Sequence, residues 1–347
     1  MHNSYFHRVT ALTDTRFWIN NPTRDEAAAA IEAGAVGCTL NPSYTQKMLD
    51  HPQESGYAFA LLDECLKEIA DDNQAIAEFQ RRIAAPITKL FEPIHEASEG
   101  QQGWVSIQAD PIRETDAQVI IDEGRLNRAV ASNVCCKIPL TEAGLEAMEV
   151  LLGENTAINA TEIFAVDQGL ALGELAQRTA KKAKIFYSHI AGIYDDYLHA
   201  YAEQHAIQIP SDYIAQAGLA VSKKLYALVK ENAWPISFVG GGARGPHHFF
   251  ELVGGDLNVT INWTGTADLL LDMDLPVIER ISHTSPAHVI AALLEDFPDF
   301  RRGWEPGSLQ IHEFEEFGPV GLFNSSFAKS WTRVLAVIAE RRTILKS

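Results

Sequence analysis

The chain has few cysteines and an excess of acidic residues. Its four cysteines are Cys38, Cys65, Cys135 and Cys136, and their spacing matches no zinc motif. Neighbouring residues on a strand point to opposite faces, so Cys135 and Cys136 would not act together. We therefore expect reduced core thiols. The formal net charge of -18 repels polyanions, which argues against nucleic acid and anionic membranes as partners.

Long apolar runs are also missing. No segment reaches the length of a membrane span, and the first ten residues lack the apolar core of a signal peptide. We therefore expect a cytoplasmic protein with no membrane partner. With 46% hydrophobic and 21% charged residues, the chain can bury a large core, as one large barrel or as two domains.

Short apolar runs alternate with amphipathic stretches along the chain, which favours the barrel. The eight strand candidates are residues 17–20, 36–40, 104–108, 134–137, 157–159, 184–188, 236–239 and 257–261. This alternation predicts an α/β fold, a (β/α)8 TIM barrel forming a single domain over residues 1–347. We expect a helical insertion over about residues 57–91 and a C-terminal helix over about residues 324–341 that packs across the barrel mouth.

Lys137 follows a short apolar run that predicts a buried strand, so it would lie at the carboxyl end of that strand. A lone lysine at such a place is more often a surface amine with a buried stem. At the mouth of an apolar barrel, however, burial would lower its pKa, and the neutral amine could attack a ketone as a Schiff-base nucleophile. The residues at the other strand ends decide between these interpretations.

Chemistry in such barrels lies at the carboxyl ends of the strands. The residues predicted there are Asn20, Asn41, Gln108, Lys137, Asn159 with Thr161, Ser188 and Arg244. Most are neutral hydrogen-bonding groups, which suits a polyhydroxylated small molecule with or without an anionic group. Glycines at residues 240–242 would let backbone N–H groups approach an anion near the helix that starts after Pro246. The same glycines fit a dinucleotide motif, but they lie late in the chain and no acidic residue closes the next strand.

Several segments resemble, in order, motifs of the transaldolase family of class I (Schiff-base) aldolases. Residues 39–43 (TLNPS) are similar to T-T-N-P-S, residues 105–110 (VSIQAD) to V-S-x-E-V-D, and residues 136–145 to K-I-P-A-T-x-E-G-L. Residues 159–168 resemble N-x-T-x-x-F-S-x-x-Q-A, residues 188–195 are a damaged copy of S-P-F-V-G-R-I-x-D, and residues 241–245 match A-S-F-R-N mainly through Arg244. The shared order over residues 15–265 argues against chance.

The resemblance implies a Schiff-base lysine on the fourth strand and assigns roles by position. The implied catalytic residues are Lys137, which would form the imine, Thr161, which would hold the catalytic water, Gln108 and Asn20. The implied substrate-binding residues are Asn41, Ser43, Asn159, Ser188 and Arg244, the last two for a distal phosphate. A protonated imine at C2 of a ketose is an electron sink, so the C3–C4 bond can break to leave an enamine. We expect no cofactor and no metal.

The chain also departs from the family pattern. Asn20 and Gln108 stand where the family has carboxylates, and an amide cannot act as a general base, a function typically worth about 10²–10⁴-fold in rate. Ile193 replaces a phosphate-binding arginine, so of two such arginines only Arg244 remains. Candidate replacements for the missing base are Tyr187, His189, Tyr194 and Asp14.

We therefore predict a transaldolase-like transferase that moves a dihydroxyacetone unit from a ketose or ketose phosphate to an aldose through Lys137, with an altered substrate. Its partner would be a sugar or sugar phosphate, and a homodimer is compatible with the sequence. Two alternatives remain: a ketose aldolase (lyase), which Gln108 mildly favours, and a sugar-binding or regulatory homologue without catalysis. A metal hydrolase is disfavoured because His247 and His248, side by side at a helix start, would not share a face.

Overall fold

Eight parallel strands pair in chain order and close into a barrel. The computed structural model of the protein describes residues 4–179 and 183–345. The strands are β1 Thr15–Asn20, β2 Ala35–Leu40, β3 Val105–Gln108, β4 Val134–Pro139, β5 Ile158–Ile163, β6 Ile185–Ile190, β7 Ser237–Gly241 and β8 Leu257–Ile261. The predicted (β/α)8 fold is confirmed.

Helices surround the barrel and extend beyond it. The described helices are α1 Tyr5–Leu12, α2 Arg24–Ala33, α3 Ser43–Asp50, α4 Ser55–Glu68, α5 Asp72–Ala97, α6 Ala117–Arg128, α7 Glu142–Gly153, α8 Val166–Thr179, α9 Ala191–Gln204, α10 Ser211–Ile214, α11 Ala217–Glu231, α12 His247–Phe250, α13 Asp268–Met273, α14 Ala287–Asp296, α15 Pro298–Trp304 and α16 Gly318–Leu345. None of them is long and apolar enough to cross a membrane.

Local sequence signals set the ends of the helices that follow β1 and β4. The Thr23 side chain accepts a hydrogen bond from the backbone of Glu26, whose carboxylate accepts one in return, and Gly34 ends α2 at φ +112°. This is a complete capping box with a left-handed glycine cap. At the start of α7, the Thr141 side chain accepts a hydrogen bond from the backbone N–H of Gly144. Both helices therefore begin directly after their strands and leave the strand ends facing the barrel mouth.

The barrel interior is apolar at its floor and polar towards the carboxyl ends of the strands. The floor contains Trp18, Cys135, Phe186 and Val239, which pack as a buried cluster. Lys137 is the next inward-facing residue after Cys135 on β4, and Ser188 is the next one after Phe186 on β6. Because inward positions recur every second residue, the apolar residue and the functional residue on each strand are two positions apart.

The C-terminal helix α16 crosses the barrel mouth and is anchored to the helices that follow β2. Trp331 Nε1 donates a hydrogen bond to Asn73 Oδ1 at 2.9 Å. Arg342 pairs with Asp72 at 2.6 Å, and Arg341 forms an ion pair with Asp63. Asp63 lies on α4, and Asp72 and Asn73 begin α5. The α4–α5 segment, which includes the predicted insertion, thus holds α16 in place.

The tightest glycine contact in the barrel floor offers a test of the packing. A Cβ atom added at Gly37 would lie 2.2 Å from the Trp18 ring, and Trp18 is fully buried. We expect Gly37→Ala to lower the free energy of unfolding by about 1–3 kcal/mol, as overpacking does. Gly56→Ala is the control, because that glycine is on helix α4 with open space around it, and we expect it to add roughly 0.5–1 kcal/mol. Urea denaturation measures both, and equal stabilities would contradict the described packing.

Candidate active site

A cavity of about 260 Å³ opens at the carboxyl ends of the strands, under helix α16. Six of the predicted site residues line it: Asn20, Asn41, Ser43, Lys137, Ser188 and Arg244. Phe323, Ser326 and Phe327 of α16 complete its wall. A larger cavity of about 1000 Å³ lies at the opposite end, where the strands begin. The cavity under α16 is the candidate site because it is at the end where barrel enzymes carry their chemistry.

Lys137 lies on β4 with its amine enclosed. The residue is only 5% exposed, and Nζ donates a hydrogen bond to Gln108 Oε1 at 2.8 Å. The rings of Phe323 and Phe327 each lie 5.8 Å from Nζ. Burial lowers the pKa of Lys137 to about 8, against the opposing effect of the nearby Glu162 and Glu114 carboxyls. A neutral amine is therefore accessible close to neutral pH.

Gln108 joins Lys137 to a buried carboxyl. Its Nε2 donates to Glu162 Oε1 at 2.9 Å while its Oε1 accepts from Lys137. An ammonium can only donate and a carboxylate can only accept, so these two partners fix which way the amide faces. The backbone carbonyl of Gln108 accepts from Gln80 of α5 at 3.0 Å. The amide therefore stands in a defined orientation between a base and an acid.

Glu162 is the site residue that the sequence reasoning missed. It is fully buried, and burial raises its pKa to about 7, with Lys137 and the Gln108 hydrogen bond acting in the opposite direction. The strand was expected to end at Asn159, whereas β5 continues to Ile163. A charged residue inside the apolar run of residues 157–165 was the available signal, because buried carboxyls are rare unless they are paired.

Polar residues on β3, β5 and β6 form a second layer of contacts in the barrel. Asn159 Nδ2 donates to Ser106 Oγ at 2.9 Å, and Ser188 Oγ donates to Asn159 Oδ1 at 2.7 Å. Asn159 pairs in register with Lys137 on the neighbouring strand. Thr161 Oγ1 is buried without a hydrogen-bond partner among the residues described here. Asn159 and Ser188 thus lie together, whereas Asn159 and Thr161 are buried and do not belong to the lining of the cavity.

The ends of β1 and β2 carry a network of amides. Asn20 Oδ1 accepts from Thr39 Oγ1, and Asn20 Nδ2 donates to Asn262 Oδ1, both at 2.8 Å. Asn21, which was not predicted, donates to Asn41 Oδ1 at 2.7 Å. Ser43 Oγ donates to the same Asn41 oxygen at 2.6 Å. These neutral groups are suited to binding hydroxyls, and none of the six residues named here supplies a carboxylate.

Arg244 reaches the cavity but is already paired. Its Nε donates to Asp196 Oδ2 at 2.7 Å, and Nη1 donates to the Gly242 carbonyl at 3.1 Å. Ile190 and Ile193 line the wall beside it. The helix expected over residues 247–253 is the single turn α12, so the predicted helix dipole for an anion is not formed. An anionic group would therefore meet one arginine that a carboxylate partly neutralises.

The proposed replacement bases do not reach Lys137. His189 packs outward against α11, with Nδ1 2.6 Å from Ser222 Oγ, and burial lowers its pKa to about 3. Tyr187 lies two positions before His189 on β6 and faces the same outer side. It pairs in register with Ala160 of β5. The Tyr194 hydroxyl donates to the Asp299 carbonyl at 2.9 Å. Asp14 precedes β1, at the far end of the barrel. The alternation of β6 explains why Tyr187 and His189 were wrongly predicted, because Ser188 between them faces inward.

His247 and His248 come together, contrary to the expectation from their positions in a helix. Their ring centroids are 4.1 Å apart, and His248 Nε2 lies 3.0 Å from Asp195 Oδ2. The ligating atoms of all three residues lie within 4.8 Å of one another, an arrangement that could hold a metal ion. Because α12 is only one turn long, the helical spacing argument did not apply. His248 Nδ1 accepts from the backbone N–H of Arg244 at 3.3 Å, so this cluster also fixes the Arg244 loop.

A buried lysine of lowered pKa, held by an amide in a cavity at the carboxyl ends of a (β/α)8 barrel, is characteristic of barrel enzymes that form a Schiff base. The family model described as Transaldolase/Fructose-6-phosphate aldolase matches residues 17–294. The chain belongs to this family.

Curated relatives named transaldolase are similar over much of the chain. The protein of Renibacterium salmoninarum is 28% identical over 247 residues, which is 68% of this chain and 62% of the relative. That of Neisseria gonorrhoeae is 27% identical over 233 residues, 63% of this chain and 66% of the relative. The protein of Thiobacillus denitrificans is 26% identical over 340 residues, 87% and 88% of the two chains. The first two alignments span slightly less than two thirds of the relatives' length.

The phenyl rings of α16 should control the pKa of Lys137. We expect Phe327→Ala to admit water and raise the pKa of Lys137 from about 8 towards its ordinary value of 10.5, because desolvation is the main cause of the shift. Leu322→Ala is the matched control, since Leu322 lies on the same helix and is exposed. Competitive acetylation of the apo protein across pH, read by mass spectrometry of the Lys137 peptide, gives the midpoint. An unchanged midpoint in Phe327→Ala would contradict this account.

Proposed function

We propose that the chain is a transaldolase-like enzyme that transfers a dihydroxyacetone unit from a ketose to an aldose through a Schiff base on Lys137. The observation that carries the proposal is the enclosed Lys137 amine, 2.8 Å from Gln108 Oε1 and covered by two phenyl rings. Family membership and relatives named transaldolase support it. The enzyme would act in the cytoplasm on a small sugar or sugar phosphate, and its acidity disfavours nucleic acid.

In the proposed reaction, Lys137, Gln108 and Thr161 act at the carbonyl carbon of the ketose. Neutral Lys137 attacks C2 of the ketose to give a carbinolamine. With one proton taken up from solvent, its C2 hydroxyl leaves as water and a protonated imine remains, whose N–H can donate to Gln108 Oε1. The imine accepts the electrons of the C3–C4 bond, so an aldehyde leaves and an enamine remains on Lys137. The enamine then attacks the acceptor aldehyde. Thr161, with its unpartnered hydroxyl, would hold the water that enters and leaves.

The remaining predicted residues would bind and orient the sugar. Asn41, Ser43, Asn159 and Ser188 offer amide and hydroxyl groups to its hydroxyls. Asn20 would hold the C4 hydroxyl by a hydrogen bond, although an amide cannot take its proton at neutral pH. We infer that the proton leaves the C4 hydroxyl to solvent or to the substrate itself, and that the reaction is slower than with a carboxylate.

The substrate is inferred to be less dependent on a phosphate than is usual for the family. Arg244 is paired with Asp196, and Ile190 and Ile193 lie beside it in the wall. An anionic group would have to compete with a carboxylate for the one guanidinium, which weakens a bidentate contact. A neutral ketose, or one with an apolar end, fits this part of the cavity as well as a phosphate does.

A ketose aldolase of the same family is the second candidate, because Gln108 replaces the family glutamate. The two activities differ in their need for an acceptor. A transferase retains the three-carbon unit on Lys137 until an aldose arrives, whereas a lyase releases free dihydroxyacetone. Assaying dihydroxyacetone with and without added aldose separates them.

Borohydride trapping tests the central proposal. Incubating the protein with a panel of ketoses and reducing it with sodium borohydride should add the mass of the reduced adduct to the Lys137 peptide. The Lys184 peptide is the internal control, since that lysine lies at the start of β6, at the other end of the barrel. Lys137→Met should abolish both trapping and activity. If no ketose labels Lys137, the family chemistry has been lost and the protein is a binding homologue.

Releasing Arg244 should improve the use of a phosphorylated donor. We expect Asp196→Asn to lower the KM for a ketose phosphate by roughly two- to fivefold, the value of an exposed ion pair, and to leave the KM for the unphosphorylated ketose unchanged. Glu149→Gln is the control, because it removes an exposed partner of Arg178 on the outer helices. Steady-state kinetics with the paired donors measures the effect. An equal change for both donors would show that Arg244 does not bind the phosphate.

A further inference from the structure

Apart from Arg244, which is paired with Asp196, the residues proposed to bind the substrate are neutral, yet the intermediate is a cation. Asn20, Asn41 and Ser188 line the cavity around Lys137, and Gln108 contacts its amine. A protonated imine formed in this enclosed cavity would lose most of its hydration. A cation in such a place is costly unless an opposite charge lies close by. The carboxyl of Glu162 is the nearest group on the strands beside Lys137 that can supply that charge.

The backbone of β5 is distorted at Glu162. Ala160 and Ile163 pair with Tyr187 and His189 of β6, so three steps on β5 match two steps on β6. The extra residue forms a β-bulge within positions 161–162, and Glu162 has φ +60°. A left-handed conformation is unfavourable for a residue other than glycine, and bulges often redirect a side chain at a functional site. Without the bulge, residue 162 would face the outer helices.

The distortion brings the Glu162 carboxyl to the hydrogen bond that it makes with Gln108. Oε1 accepts from Gln108 Nε2 at 2.9 Å. Oε2 is buried without a partner among the residues that the structure describes. No hydrogen bond from these residues therefore stabilises a negative charge on this oxygen. Only one amide group then separates the carboxylate from the Lys137 nitrogen. The arrangement keeps the amide oxygen of Gln108 directed towards that nitrogen.

We propose that Glu162 is the counter-ion of the protonated imine on Lys137, and that it holds the Gln108 carbonyl towards the imine nitrogen. This inference rests on the proposed Schiff-base function. Since Glu162 acts through Gln108, it is a positioning residue and does not touch the reacting atoms. The amide at position 108 then has a role of its own, because its carbonyl oxygen accepts from the imine N–H while its amino group contacts the carboxylate.

Other titratable groups face this pair. Glu114, in the loop after β3, lies near both Lys137 and Glu162, and Glu315 adds to the negative charge around it. Burial raises the pKa of Glu114 well above its ordinary value, and like charges add to the rise. Glu114 also accepts a hydrogen bond from Asn324 of α16. Glu162 differs from Glu114 in its contacts, because Glu162 is joined to Lys137 through Gln108 whereas the hydrogen bond of Glu114 is with α16.

The test is Glu162→Gln, which keeps the size and the hydrogen-bonding capacity of the side chain but removes the charge. We expect kcat to fall on the order of 10²-fold or more, the typical loss for a preorganised electrostatic group. The fraction of Lys137 trapped by borohydride at a saturating ketose concentration should fall as well. The matched control is Glu114→Gln, which should leave both quantities nearly unchanged, because Glu114 is bonded to Asn324 of α16 whereas Gln108 is bonded to Glu162.

The pH midpoint for acetylation of Lys137 in the apo protein distinguishes this role from a structural one. The Glu162 carboxylate raises the pKa of Lys137 against burial, so Glu162→Gln should move the midpoint below 8. A variant that merely loosens the site would admit water and move it above 8. An upward or absent shift, wild-type kcat in Glu162→Gln, or an equal loss in Glu114→Gln would each overturn the proposal.

Failure of the counter-ion role differs from failure of the Schiff-base function. If the wild-type protein is not trapped by any ketose, the proposed function fails. If the wild-type protein is trapped but Glu162→Gln behaves like it, only the role of Glu162 fails. Thermal melting gives a check on folding, since a cooperative transition shows that Glu162→Gln is folded even if the loss of the counter-charge to Lys137 lowers its stability.

Discussion

The removal of one amine from water is the constraint on which the rest of the site depends. An ammonium on a strand end would normally remain hydrated, protonated and unreactive. Here the amine of Lys137 has an amide oxygen on one side and two phenyl rings on another. These contacts make the neutral form accessible, and the charge of Glu162 limits how far the pKa of Lys137 falls. The pKa of Lys137 therefore results from a balance between desolvation and nearby carboxyls.

The barrel supplies that balance through the period-two alternation of its strands. Large apolar side chains fill the floor, and the next inward position on the same strands carries a polar group. A residue displaced by one position would face the outer helices, as Tyr187 and His189 do. Glu162 avoids this outcome through a bulge, at the cost of an unfavourable backbone conformation.

Much of this organisation could be predicted from the sequence. The apolar runs located all eight strands, and the residues at their ends included six that line the cavity, because strand ends converge in a barrel. The predicted replacement bases on β6 were wrong, because the sequence does not show which residues of a short strand face inward when both of its faces are apolar. Glu162 was missed because a bulge has no sequence signature here. The histidine pair was misjudged because α12 is too short for helical spacing to apply.

The helix that shields Lys137 is the last one in the described chain. It is held by contacts of Trp331, Arg341 and Arg342 with the α4–α5 segment, far from it in sequence. During synthesis, all eight strands would emerge before the phenyl rings that cover the cavity. A nascent barrel at that stage would carry an ordinary protonated lysine, so a nucleophilic amine would arise only after α16 has docked. Until then, the growing chain would be protected from reacting with cellular carbonyl compounds.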